Sequence, residues 1–164
     1  MKKLSFLFLL ALLTSCGTDQ NTASQSADTL QDLEADLPGT WESVSLRVDI
    51  NSADGTDTSF VFEVREEEWT RRLGVKPVRT YYKPDHKYEQ VFTSLIDTTL
   101  STTRGMWNVF GDTLMMVEPN ATYHYETTLE DGLIKLKARL DWDGDGEEDD
   151  DYLGVHRKIS SATQ

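Results

Sequence analysis

From Gly39 onward the chain alternates apolar and polar residues with a period of two, the pattern of strands that bury one face. Residues 40–50 set Val44, Leu46, Val48 and Ile50 against Ser45, Arg47 and Asp49. Further segments of this kind run over 59–64, 78–83, 87–95, 102–110, 112–118, 121–129, 133–140 and 152–159. In 133–140 the alternation is complete: Ile134, Leu136, Ala138 and Leu140 face one way, Lys135, Lys137 and Arg139 the other. Turn-forming residues separate the segments, including Asp54-Gly55, Pro84-Asp85-His86, Gly111 and Asp131-Gly132. About nine short strands with one apolar face each predict an all-β fold, an antiparallel up-and-down barrel of eight to ten strands, because closure leaves few exposed edges. There is no internal repeat and no sign of a second domain, and about 120 residues suffice for one core of this kind.

Two segments depart from the period of two. Residues 30–37 place Leu30, Leu33 and Leu37 on one helical face, with Thr29 at the N-cap position and Pro38 as a stop. They predict a short N-terminal helix covering one end of the domain. Residues 66–74 pair Glu67 with Arg71 and Glu68 with Arg72 at i,i+4 and end at Gly74, a pattern that fits a single helical lid, the favoured reading, or the continuation of a strand.

The N-terminus has a different character. Lys2 and Lys3 precede an apolar run over 4–13. That run is too short for a bilayer, which needs roughly 20 apolar residues, but has the length of a signal-peptide core. It ends in Leu13-Thr14-Ser15-Cys16, which resembles a bacterial lipobox, and Cys16 is the only cysteine in the chain. The resemblance implies a lipoprotein signal at 1–15, cleavage before Cys16 and lipid, a diacylglycerol and a further acyl chain such as palmitate, on its thiol and amine. Two or three acyl chains anchor stably where one does not. Gly17 stands where an aspartate would imply retention at the inner membrane, so the expected address is the outer membrane of a bacterial envelope. Residues 16–28 contain no large apolar side chain and are expected to be a flexible tether. The domain is expected over 29–160, with a disordered tail at 161–164. Asp28-Thr29-Leu30 also resembles a bacterial O-glycosylation site at Thr29.

The chain carries 16 basic and 29 acidic residues. Loss of the signal removes two lysines and leaves a net charge of −15. Such a surface repels nucleic acid and anionic head groups, so lipid rather than charge must hold the protein at its membrane.

Gly39-Thr40-Trp41, at the mouth of the first strand, resembles the Gly-x-Trp signature of lipocalin-like barrels. Arg157, near the end of the last strand, resembles the basic residue that packs over that tryptophan. The Gly105-Met106-Trp107 segment followed by 111–114 is similar to the middle of bacterial lipocalin-like lipoprotein domains. This resemblance spans about residues 38–159. It implies a cation–π clamp between Trp41 and Arg157 that closes one barrel end. It also implies a cavity for a small apolar ligand, with Tyr81, Tyr88, Phe92, Trp107, Tyr123 and Tyr125 as candidate lining residues. Those same aromatics could instead fill the barrel solid.

Eight of the eleven residues from Asp141 to Asp151 are acidic. Counted from Asp141, oxygen ligands fall at positions 1 (Asp141), 3 (Asp143), 5 (Asp145), 7 (the main-chain carbonyl of Glu147) and 9 (Asp149), with Gly146 at position 6 for the sharp turn. Alternate hard oxygens in a tight loop are what Ca²⁺ requires. Position 12 is Tyr152, not the bidentate glutamate of helix–loop–helix sites, so the loop is more similar to the calcium-binding hairpin loops of integrin-type blades. A structural Ca²⁺ with Kd of about 10⁻⁴–10⁻³ M is expected. Glu148, Asp150 and Asp151 are surplus and expected to be solvated or to give one further ligand.

Nothing points to catalysis. His86, His124 and His156 have no metal-type spacing, and no nucleophile elbow, zincin motif or phosphate loop is present. Two classes of function remain: a membrane-anchored binding module holding a small apolar molecule, or a scaffold with a filled barrel that contacts another envelope protein or a glycan. A sizeable cavity separates them.

Overall fold

The computed structural model describes residues 33–53 and 56–161. The signal, Cys16, the tether, Thr29 and residues 162–164 lie outside them. Nine antiparallel strands follow in order: β1 (Gly39–Ile50), β2 (Phe60–Val64), β3 (Arg79–Tyr82), β4 (Lys87–Thr93), β5 (Thr99–Phe110), β6 (Thr113–Val117), β7 (Thr122–Glu130), β8 (Leu133–Leu140) and β9 (Asp150–Ser161). Strands β3 to β9 form a meander, and β1 pairs with both β3 and β9 to close an eight-stranded barrel. β2 is the extra strand. It pairs with Leu46–Ile50 of β1, while β3 pairs with Gly39–Glu42 on the same edge. Ser161, the first residue of the expected tail, pairs with Gly39 as the last residue of β9.

β1 pairs with β9 from end to end, with a register shift between Ser43 and Ser45. An extra residue in one strand reverses its facing. Trp41 and Ser43 therefore point inward at odd positions, and Val48 and Ile50 point inward at even ones. On β9 the even residues, Tyr152 to Lys158, are inward throughout.

The helical segment over 66–74 is present, as a 3-10 turn (Glu66–Glu68) running into a short helix (Trp69–Leu73). Gly74 caps it at φ 66°. Its ion pairing differs from the expected i,i+4 set: Arg71 meets Glu68 at 2.7 Å (i,i+3), and Arg72 donates to the Glu63 carbonyl and lies over the Phe62 ring. Too few turns form for i,i+4 pairs to align. Trp69 is buried and packs with Val64 and Val78.

One barrel end is densely packed at its centre, with a groove of about 670 Å³ at its rim lined by Leu33, Trp41, Thr127, Leu129 and Lys158. Leu33 and Leu37, on helical residues 33–36 and just after, lie over Trp41, Tyr82, Tyr88 and Trp107. The Trp41 indole donates to the Leu37 carbonyl at 2.8 Å, and the Trp107 indole donates to the Lys83 carbonyl at 3.1 Å. The cation over Trp41 is Lys158, with Nζ 5.5 Å from the ring centroid, and not the expected Arg157. Alternation along β9 explains the correction. Lys158 is opposite Trp41, so Arg157 must face outward. There its guanidinium makes a bidentate pair with Glu66, at 2.8 and 2.9 Å, tying the 3-10 turn to the barrel wall.

Packing in this end leaves no room for one added carbon. A Cβ on Gly105 would lie 2.2 Å from the Val117 carbonyl oxygen and 2.7 Å from the Tyr88 ring. Gly105→Ala should therefore destabilise the fold by about 1–3 kcal/mol. The expected readout is a lower urea midpoint with unchanged slope, and an unchanged midpoint would refute this account of the packed end.

Candidate functional site: a hollow barrel end beneath an acidic loop

The opposite end is hollow. A cavity of about 1240 Å³ opens between the barrel wall, the helix Trp69–Leu73 and the loops after β6 and β8. Three of the six aromatic candidates, Phe92, Tyr123 and Tyr125, line it. Tyr88 and Trp107 belong instead to the packed end. Tyr81 faces out: its neighbour Tyr82 takes the inward position and Tyr81 is left half-buried. Phe62, Tyr152 and Trp142, which the sequence reading did not select, also line the cavity.

Aromatic contacts lead from the wall to the acidic loop. Tyr123 stacks on Tyr125, Tyr125 meets Tyr152 at 5.8 Å between centroids, and Tyr152 meets Trp142 at the same distance. Burial pushes the Tyr125 phenol far above its ordinary range and that of Tyr152 up to about 12. Burial also raises Tyr88, helped by its hydrogen bond to Glu118 at 2.8 Å. These are neutral hydroxyls at any physiological pH.

The loop between β8 and β9 is folded by its own carboxylates. Asp141 accepts from the amides of Gly144 (2.8 Å) and Gly146 (3.1 Å), Asp143 from Asp145 (3.1 Å), and Asp145 from Glu147 (2.8 Å). Gly146, at φ 98°, permits the turn, a backbone conformation that side chains resist. Asp141, Asp143 and Asp145 present oxygens within 4.8 Å of one another. That hard-oxygen set could hold a metal ion. Asp149 adds no atom to the cluster; its carbonyl accepts from the Asn51 side chain at 2.9 Å. Glu147 was expected to offer only its main-chain carbonyl.

Asp150 corrects the sequence reading. Expected as a surplus acid, solvated or giving one further ligand, it is fully buried. One oxygen accepts from the Asn51 amide at 2.9 Å, and the other from the amides of Trp142 (2.8 Å) and Asp143 (3.3 Å). It thus fastens both ends of the acidic loop to the end of β1. Position on β9 was the available signal, since Asp150 shares its facing with Tyr152 and His156. Asp151 points outward, 3.9 Å from Arg139.

His156 is the other residue that motif reasoning passed over. It is 8% exposed, lines the cavity, and meets the Ser43 hydroxyl through Nδ1 at 3.3 Å. Burial lowers its pKa to about 4, so the imidazole is neutral at pH 7. His124 is exposed, and His86 stacks on Trp107 at the packed end.

Truncating Asp150 leaves three partly buried amide donors without their acceptor, so Asp150→Ala should cost about 1–3 kcal/mol. Asp151→Ala should change stability little. Paired urea melts check this, and equal effects would contradict the assigned role of Asp150.

No family model matches this chain, and no curated protein matches it in sequence.

Proposed function

We propose that the protein is a binding module whose barrel takes one small, largely apolar molecule into its hollow end, with the acidic loop acting as a structural calcium site. The observation that carries the first part is the 1240 Å³ cavity lined largely by apolar and aromatic side chains. Ligand sites are commonly concave, mostly apolar and of about 300–1,000 Å³, with a few polar groups that orient the guest. A filled barrel was the condition for the scaffold reading, and the cavity does not meet it. Binding rather than catalysis is the activity proposed. The lipobox-like segment ending at Cys16 supports lipid anchoring in a bacterial envelope, with the outer membrane as the proposed address.

For the loop, the supporting observation is the cluster of Asp141, Asp143 and Asp145. The Glu147 carbonyl and Asp149 are proposed to complete a set of hard oxygens. A dication there would offset the mutual repulsion of the carboxylates. Because Asp143 and Trp142 line the cavity, fixing the loop would also fix the cavity mouth.

Two measurements test the two parts separately. N-phenyl-1-naphthylamine, a neutral apolar fluorophore, should bind the full chain with a stoichiometry of one and increased emission. Leu46→Trp, which fills the cavity, should abolish that response while the melting temperature stays close to that of the parent. No emission change with the parent chain would sink the binding reading. For the loop, the thermal melt should rise by several degrees from EDTA to millimolar Ca²⁺, and the rise should vanish in the Asp143→Ala/Asp145→Ala variant. An unchanged melt would leave the loop as a solvated turn.

A further inference from the structure

The barrel wall is interrupted along its hollow half. As far as Ser43, β1 is held by the chain that runs through β3. Gly39–Glu42 pair with β3, and the Ser43 amide donates to the Val78 carbonyl at 3.0 Å. From Leu46 to Ile50 the partner on that edge is β2 instead. Among the described residues β2 has no ladder partner but β1. Residues 75 and 76 are paired away from it: Val75 bridges to Ser94, and the Lys76 amide donates to the Thr93 carbonyl at 2.9 Å. A seam therefore separates β2 from the chain before β3, and no β-ladder among the described residues crosses it.

The Glu66–Leu73 segment closes this seam with side chains. Trp69 packs with Val64, which belongs to β2, and with Val78, which lies beyond the seam. Trp69 and Val78 both line the cavity, so this contact is part of its wall. The segment itself belongs to no ladder and runs from the extended Arg65 to Gly74, at φ 66°. Its outer ties are ionic: Arg157 of β9 pairs with Glu66 at 2.8 and 2.9 Å, and Arg72 donates to the Glu63 carbonyl. The Arg157 and Glu66 side chains are about half exposed, so water screens their attraction. The buried Trp69 indole nitrogen has no hydrogen-bond partner. An unpaired buried donor costs free energy, and exposure to water relieves that cost. The opposite rim is fixed more firmly, because the buried Asp150 carboxylate holds three amides there.

Resting on the reading of the barrel as a binding module, we infer that this seam is the entrance for the guest and that the Glu66–Leu73 segment is its gate. The segment pivots at Arg65 and Gly74, Glu66 parts from Arg157, and the Trp69 ring withdraws from Val78. An apolar molecule then passes between β2 and the chain before β3, onto Phe62 and Phe92 of the cavity wall. Elements with few backbone ties to their neighbours are the ones that open at low free energy.

The test is stopped-flow binding of N-phenyl-1-naphthylamine to the full chain, read as separate association and dissociation rates. Breaking the Glu66–Arg157 pair favours the open gate in free and loaded protein alike, so both rates rise and their ratio holds. Glu66→Gln and Arg157→Gln should each speed association and dissociation about two- to fivefold, the range an exposed ion pair allows. Kd should change less than twofold. The double variant should be no faster than the faster single, because both substitutions remove one interaction. Neither residue lines the cavity, so a purely structural role would lower Tm and leave the rates unmoved. Parental rates in both single variants, or effects that multiply in the double variant, would overturn the gate while leaving the binding module standing. A chain that never binds the fluorophore would remove the binding reading itself.

Discussion

The pairing of β1 with β9 along its whole length is the constraint on which the rest depends. It joins the first strand of the domain to the last, and without it the meander is an open sheet with two unpaired edges. The other edge of β1 is divided, its first residues held by β3 and its last by β2. That division sends the chain out and back through the Glu66–Leu73 helical segment, which is how Trp69 comes to form part of the cavity wall. The bulge at Ser43 to Ser45 completes the arrangement. It lets one strand present Trp41 to the packed end and Val48 and Ile50 to the interior near the hollow end, although these residues differ in parity.

Closure then produces two unlike ends from one sheet. At one, four large aromatics interlock beneath Leu33 and Leu37, with Gly105 leaving room for Tyr88. At the other, Ser43, Thr80 and Gln90 occupy inward positions where larger apolar residues would fill the space. Asp150 connects this hollow end to the acidic loop. Its carboxylate holds the start of that loop and the residue after β1 at once, so the cavity mouth is built on a buried polar network and not on apolar packing. Such networks specify geometry more sharply than apolar contacts do, provided every member is satisfied.

Much of the fold was legible because its signal is local. Alternation set out the nine strands within three residues, Asp131-Gly132 marked a hairpin whose residues both take positive φ, and the charge pattern with Gly74 marked the helix. The acidic spacing marked the three carboxylates that cluster. What escaped was facing. Arg157 and Lys158 differ by one position, and only the register against Trp41 decides which lies over the indole. Tyr81 and Tyr82 pose the same problem. Asp150 was read as one more acid in an acidic run, whereas its burial follows from the parity of β9 and from Asn51, 99 residues away in sequence. His156 carries no motif at all, and its burial and single partner exist only once the barrel is closed.

A crystal structure determined under xenon pressure tests the division into a packed and a hollow end most directly. Xenon enters apolar space without demanding any particular ligand chemistry. The account predicts xenon between Phe92, Tyr123 and Tyr125, and none among Trp41, Tyr88 and Trp107. Side chains collapsed across the hollow end, with no xenon bound there, would contradict it.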